Sequence, residues 1–344
     1  MEPTEMKQVF LACDIYDPKI KANLLNEWES EKSVEILNKT ISDFGYFTKT
    51  FSSPNSLMQS LLDIPNEKKK DVLVFNLIEG YLSPNREGYI PSICEYLGFP
   101  HSGSSAFSQS LTLNKFLTQT LAKQIGIPTA TLGLLERSNW EETLENLNPS
   151  LFPVFVKPNG EGSSIGITES NIIRNKESNL RVRELISEYG EVLLETFLEG
   201  REATIGILGN FPNYTSSKVF YVNYPNHLFC ESTKGKGEPP ETLEGISDNL
   251  IQRQIQNYAI RIAKQFKISG YCRIDFKWGK DSPYLLDVNG TPGFSKIYSL
   301  FPKLWESSGI EYETLISRCI ELGFADYEEN RRFLYGKRYH ESLY

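Results

Sequence analysis

Two short runs in the C-terminal third bring oxygen donors together at strand spacing: Arg273-Ile274-Asp275 and Asp287-Val288-Asn289. Side chains alternate faces along a strand, so Arg273 and Asp275 share one face, as do Asp287 and Asn289. Between the runs, Gly279-Lys280-Asp281-Ser282 has the composition of a turn. A hairpin closed there sets Asp275 opposite either Leu286 or Asp287. The second register gathers Asp275, Asp287 and Asn289 on one sheet face. Hard oxygen donors without imidazole or thiolate suit Mg²⁺, which keeps several waters and shares its shell with phosphate oxygens. Taken alone, the same residues also fit an ordinary polar surface hairpin.

Three further runs could act beside such a centre. Asn289-Gly290-Thr291-Pro292-Gly293 leaves the hairpin as a tight loop whose glycines let backbone N–H groups approach an oxyanion. Phe152 to Pro158 reads as a strand ending in Lys157. A small-residue loop follows, Asn159-Gly160-Glu161-Gly162-Ser163-Ser164-Ile165-Gly166, suited to wrapping polyphosphate through N–H and hydroxyl groups. Its lysine precedes the glycines and a strand signal follows, so it is neither a Walker loop nor a dinucleotide fingerprint. Val192 to Leu198, running into Glu199-Gly200-Arg201-Glu202, offers an apolar strand end for a purine and Glu202 for ribose hydroxyls. Each of these is singly explained as a plain turn or strand end.

The elements that must position them follow from hydrophobic periodicity. Gln8 to Ala12, Tyr46 to Phe51 and Asp71 to Leu77 read as strands. Between them lie helices carrying Val34, Leu37, Ile41 and Phe44, closed by Gly45, and a short one over Ser56 to Leu62. A further helix starts near Pro91 and ends at Gly98. This alternation predicts an open parallel sheet. One helix is expected from Ser110 to Gln124, then a linker at Ile125 to Thr129 broken by Gly126 and Pro128. Short strands fill Pro153 to Leu208 around a helix near Arg181 to Tyr189. A long helix spans Asp248 to Phe266, and strands follow at Tyr271 to Trp278 and Pro283 to Val288. The last twenty residues are polar with five aromatics (Tyr327, Phe333, Tyr335, Tyr339, Tyr344), fitting a terminal helix or a docked or solvated tail.

Composition narrows the class. The chain has 344 residues, 40% hydrophobic, enough for about two domains and excluding a disordered chain. Its net charge of −8 argues against a nucleic-acid binder. No apolar run is long enough for a membrane span, and the N-terminus lacks the layout of a secretory signal. Cys13, Cys94, Cys230, Cys272 and Cys319 are scattered and never spaced C-x-x-C, which reads as reduced thiols in a cytoplasmic protein.

The order of the pieces carries more than any one of them: Lys115, the strand ending Lys157-Pro158, the glycine-serine loop, Glu195 to Glu202, then Arg-Ile-Asp and Asp-Val-Asn. That order resembles the ATP-grasp superfamily and, within it, the D-alanine–D-alanine ligase-like enzymes, over roughly residues 70–323. Phe99-Pro100-His101-Ser102-Gly103-Ser104, Leu113-Asn114-Lys115 and Arg273-Ile274-Asp275-Phe276 match as well. The implied fold is α/β: an ATP-grasp fold with an N-terminal open parallel-sheet, Rossmann-like domain (1–105), a linker helix and small lid subdomain (106–198) and a C-terminal metal-bearing subdomain (199–324). A tail follows (325–344). The implied activity is ATP-dependent carboxylate–amine ligation through an acyl phosphate, D-alanine to D-alanine by default.

The resemblance assigns roles residue by residue. Lys115 and Lys157 would touch ATP phosphates. Glu161, Gly162, Ser163 and Ser164 would form the mobile phosphate loop, with Ser163 near the reacting groups. Glu195, Thr196, Phe197 and Leu198 would be the adenine hinge, and Glu202 the ribose acid. Asp275, Asp287 and Asn289 would hold two Mg²⁺ ions, and Mn²⁺ would satisfy the same oxygens. Arg273 and the N–H of Gly293 would stabilise the oxyanion. Lys234 matches a loop lysine that closes over the site, and Ser299 the binder of the second substrate's carboxylate, after a loop one residue longer. Homodimers are common in the family.

Departures from the pattern leave the substrates open. Asp287 stands where a glutamate is usual. The family's glycine-rich loop after the first strand, with a glutamate for the first amino group, is replaced by Ala12-Cys13-Asp14-Ile15-Tyr16-Asp17-Pro18. Its His-Gly pair is replaced by Glu79-Gly80, followed by Asn85-Arg86-Glu87, so Glu79 and Arg86 become the candidates for first-substrate recognition. A ligase for another amino-acid pair or peptide precursor, and a nucleotide-binding pseudoenzyme, remain as alternatives.

Overall fold

The computed structural model describes residues 7–15, 28–80, 83–223, 242–279 and 282–330. Strands β1 (Gln8–Cys13), β2 (Phe47–Phe51) and β3 (Val72–Leu77) form a parallel sheet in the order β2-β1-β3. β3, at one edge of that order, is buried along its whole length, as a parallel strand covered on both faces must be. Alternation then divides the residues. Phe10, Ala12, Val72 and Val74 pack on α2 (Pro54–Leu62) and α3 (Tyr89–Leu97). Val9, Leu11, Leu73 and Phe75 pack on α1 (Glu31–Asp43), and in that same core lie Leu315, Ile316, Cys319 and Ile320 from α10 (Tyr312–Asn330). The first and last parts of the chain therefore share one core.

The expected single helix from Ser110 to Gln124 is two: α4 (Ala106–Leu113) and α5 (Lys115–Gln124). Asn114 leaves helical geometry (ψ 98°), and its side chain accepts from the N–H of Leu117, capping α5. The break puts Lys115 at the first position of α5. An antiparallel sheet follows, in the order β4-β7-β5-β6, from β4 (Thr131–Glu136), β5 (Val154–Pro158), β6 (Ile172–Ile173) and β7 (Glu191–Thr196). Valines and leucines on one side of it pack on α6 (Trp140–Asn146) and α7 (Leu180–Tyr189). The strand expected after the glycine-serine loop is only the two residues of β6, entered through a short turn at Glu169–Asn171.

A second antiparallel sheet holds β8 (Glu202–Asn210), β9 (Asn213–Ser216), β10 (Phe220–Asn223), β11 (Thr242–Gly245), β12 (Tyr271–Trp278) and β13 (Pro283–Asn289). One face is covered by Ile255, Ala259, Ile262 and Ala263 of α8 (Asn249–Gln265). Leu208 and Tyr271 join Phe301 and Trp305 of α9 (Leu300–Ser307) in the shared core. Phe294 sits at the centre of it, edge-on to Phe75, Tyr271 and Phe301 with centroids 4.8–5.4 Å away.

α10 runs without interruption through the boundary expected at 324/325, and Tyr327 donates from its hydroxyl to the carbonyl of Gly98. Phe333, Tyr335, Tyr339 and Tyr344 lie outside the described residues, as does Cys230. Cys13, Cys94, Cys272 and Cys319 are buried free thiols. Among the described residues, no helix is long and apolar enough to cross a membrane.

Candidate active site

The hairpin β12–β13 adopts both registers left open by the sequence, one at each end. Arg273 pairs with Asn289, Ile274 with Val288 and Asp275 with Asp287; beyond a β-bulge, Phe276 pairs with Leu285. Leu286 is the extra residue. The wide-open end thus sets Arg273, Asp275, Asp287 and Asn289 on one face, with Asp275 and Asp287 directly opposed. The guanidinium of Arg273 grips Asp275 through Nε and Nη2 (2.8–3.2 Å), and Thr204 on β8 donates to Asp275 Oδ1 (2.7 Å). Asn289 Oδ1 accepts from the N–H of Thr291, which starts the loop to Gly293.

Two carboxylates and an amide oxygen are hard oxygen donors, and they fit a hydrated divalent cation. No group of three His, Cys, Asp or Glu side chains able to hold a metal occurs among the described residues, so a cation here would rest on this mixed set and on phosphate oxygens.

The bulge has a use of its own. The carbonyl of Leu286 receives Lys157 Nζ (3.4 Å) and Gln119 Nε2 (3.2 Å). Lys157 in turn pairs with Glu195 Oε2 at 3.0 Å, and Gln119 donates to Glu195 Oε1 (2.6 Å) while accepting from Thr131. Lys157 is 5% exposed, Glu195 2% and Gln119 0%. Glu195, the first residue of the expected adenine hinge, thus has its two carboxylate oxygens on Lys157 and Gln119. Gln119 was missed by the sequence reading; it lies four residues after Lys115, on the same face of α5. The hinge continues as Thr196 and Phe197, whose N–H groups bond the carbonyls of Ala130 and Pro153, then Leu198. Glu202 receives Lys277 Nζ at 3.3 Å.

The phosphate-loop candidate is pinned at both ends. Asn159 bonds the N–H groups of Lys115 and Phe116 with its carbonyl and side chain, and the carbonyl of Gly166 receives Asn171 and Arg181. Between these anchors Ser163 and Ser164 have positive φ (48° and 60°), a conformation costing serine about 1–3 kcal/mol each. Lys115 Nζ donates to the carbonyl of Glu161 (2.5 Å) and lies 3.7 Å from Asp287. Arg86, expected at the first substrate, instead reaches this loop: Nη1 donates to the carbonyl of Gly160 (2.6 Å) and Nη2 lies 3.7 Å from Glu161. Lys234 lies outside the described residues.

Beyond Gly293 the chain meets the start of α1. A Cβ on Gly293 would lie 2.6 Å from Ser299 Oγ and 3.6 Å from Glu29 Oε1. Glu29 is buried and accepts from the N–H of Phe294 (3.2 Å) and the hydroxyl of Tyr298 (2.7 Å). Burial pushes its carboxyl above the usual range against those bonds. On the other side, Thr291 Oγ1 lies 3.5 Å from Glu79 Oε2, and Asp14 accepts the N–H groups of Glu79 and Gly80. Glu29 was not found from sequence because no glycine-rich loop precedes it. The signal available was Ser30, the N-cap of the first amphipathic helix.

Gly290 shows how tightly this loop is seated. A Cβ there would lie 2.1 Å from Gln109 Oε1 and 2.9 Å from Thr112 Oγ1, and Gln109 cannot swing away without losing its bond to the carbonyl of Gly290. Gly290→Ala is expected to cost about 1–3 kcal/mol in urea unfolding, most of it recovered by adding Gln109→Ser. No recovery in the double variant would refute this contact as the cause.

A family model described as D-ala D-ala ligase C-terminus matches residues 121–321. D-alanine–D-alanine ligase B of Clostridium tetani is 32% identical over 262 residues, covering 74% of this chain and 71% of the relative. The D-alanine–D-alanine ligase of Ruminiclostridium cellulolyticum is 27% identical over 333 residues, covering 92% and 85%. Among solved structures, the Bacillus anthracis D-alanine–D-alanine ligase complexed with ATP superimposes with a TM-score of 0.71 at 21% identity, over 94% of this chain and 99% of that one. The VanG D-Ala:D-Ser ligase of Enterococcus faecalis gives 0.72 at 20% identity, over 93% and 100%. At such identities the structures speak to the fold.

Proposed function

The chain belongs to the D-alanine–D-alanine ligase family, and on that premise we propose that it is an ADP-forming ligase joining D-alanine to D-alanine through an acyl phosphate. The observation that carries this reading is the hairpin face of Arg273, Asp275, Asp287 and Asn289, with Gly293 at its exit and Lys115 3.7 Å from Asp287.

ATP enters between the two antiparallel sheets, its phosphates met by Lys157, Lys115 and the loop from Glu161 to Ser164, its base by Thr196 to Leu198 and its ribose by Glu202. Asp275, Asp287 and Asn289 would hold Mg²⁺, which would supply positive charge against the phosphoryl oxygens. The first amino acid places its ammonium on Glu29, a buried carboxylate with an acceptor site left, and its carboxylate towards the γ-phosphorus. A carboxylate oxygen attacks phosphorus, the bond to the ADP oxygen breaks, and an acyl phosphate forms. The amine of the second amino acid, its carboxylate received at Ser299, then attacks the acyl carbon. Arg273 and the N–H of Gly293 stabilise the tetrahedral oxyanion, phosphate leaves, and the amide remains after loss of a proton. The loop around Ser163 excludes water from the intermediate.

A different amino-acid pair is the second reading, favoured by Glu79-Gly80 standing in place of the family's His-Gly pair. The test is a screen of D- and L-amino acids, singly and in pairs, with Mg-ATP. D-alanine is expected to yield the dipeptide mass with stoichiometric ADP and phosphate. ATP binding without turnover on any pair would overturn the ligase reading.

A further inference from the structure

Glu29 is a buried carboxylate with no lysine or arginine in ion-pair range among the described residues. An ionised carboxylate has about four acceptor positions. The N–H groups of Phe294 and Ser295 and the hydroxyl of Tyr298 use three of them. Tyr298 is itself fixed, because its hydroxyl accepts from the N–H of Ser30 at 3.1 Å, leaving its proton for Glu29 Oε2. Tyr298 is 40% exposed, so it lies at the surface rather than in the core. The loop that carries it, from Gly290 to Ser299, is where the chain runs one residue longer than its resemblance implies.

We propose that Tyr298 is a positioning residue for the ammonium group of the carboxyl-donating amino acid: its hydroxyl fixes the Glu29 carboxylate so that the remaining lone pair faces Gly293. This rests on the reading of Glu29 as the ammonium receptor. The charge of Glu29 depends on the same bond. Burial raises its carboxyl, and the Tyr298 hydroxyl is foremost among the bonds that lower it. The titratable groups facing it among the described residues are Cys13 from β1, Tyr298 and Tyr312 from α10, none of them a cation. Removing the hydroxyl raises the Glu29 carboxyl further, so donor binding fails at a higher pH on acidification.

The test separates the donor from the acceptor by trapping the acyl phosphate with hydroxylamine and measuring the hydroxamate, which forms without the second amino acid. For Tyr298→Phe, the donor KM for D-alanine is expected to rise about tenfold, with kcat and the ATP KM within about twofold. The acid limb of donor kcat/KM should move to higher pH. Propionate, which has the carboxylate without the ammonium, should inhibit wild type and variant equally. An unchanged donor KM and acid limb in Tyr298→Phe, with Glu29→Gln strongly impaired, would overturn the role of Tyr298 alone. A donor KM unaffected by Glu29→Gln would overturn the receptor reading and this inference with it. Equal weakening of propionate in Tyr298→Phe would also overturn it, since the effect would then not pass through the ammonium.

Discussion

Asp275→Ala is expected to lower kcat about 10³-fold while changing the ATP KM less than about tenfold. Asp275 is the carboxylate on which the site converges: it opposes Asp287 across the hairpin, anchors the Arg273 guanidinium and accepts from Thr204. Its loss removes one oxygen from the proposed cation and frees Arg273 to swing from the line leading to Gly293. Both effects act where charge develops in phosphoryl transfer and acyl attack, and neither touches the hinge proposed for the base. Asn289→Ala should follow in the same direction with a smaller loss, because the amide is neutral and also holds the N–H of Thr291. The measurement is ADP release with saturating D-alanine, beside nucleotide binding by calorimetry. Unchanged rates in both variants would remove the proposed metal site.

The hairpin was legible in the sequence because period-two alternation survives whichever register is chosen. What alternation cannot encode is a bulge, which shifts the pairing by one without changing the residues on either strand. The extra residue, Leu286, is apolar and carries no sign of its role; only its carbonyl, turned to Lys157 and Gln119, shows it. The break at Asn114 was hidden for a related reason. Leu113, Phe116, Leu117 and Leu121 keep helical spacing across it, so periodicity reports one helix where the backbone turns. Asn114 as a cap immediately before Lys115 was the local signal. Glu29 and Arg86 were the hardest to read, since their partners, Phe294, Tyr298 and Gly160, lie 74 to 269 positions away. Charge balance behaved similarly. A net −8 coexists with a site edged by Lys115, Lys157, Arg86 and Arg273, because local field depends on placement rather than on the sum.

Lys157→Met tests whether that placement serves the nucleotide, the fold or both. Lys157 and Glu195 form a buried pair at 3.0 Å that links β5 and β7 to the bulge of β13 through the carbonyl of Leu286. Deleting the cation leaves Glu195 buried with Gln119 as its hydrogen-bond partner, so the variant should lose about 3–5 kcal/mol of stability in urea unfolding. It should also raise the ATP Kd about 100-fold, since a phosphate contact is lost from a water-poor site. The two effects separate in the double variant Lys157→Met with Glu195→Leu. Replacing a buried ion pair by apolar side chains of similar volume is nearly neutral, so stability should return to within about 1–2 kcal/mol of wild type. Nucleotide binding should stay weak, because neither side chain can reach a phosphate oxygen. Recovery of ATP affinity along with stability would mean that Lys157 only braces the two sheets. A single variant as stable as wild type would mean that Glu195 finds another partner when the lysine is gone.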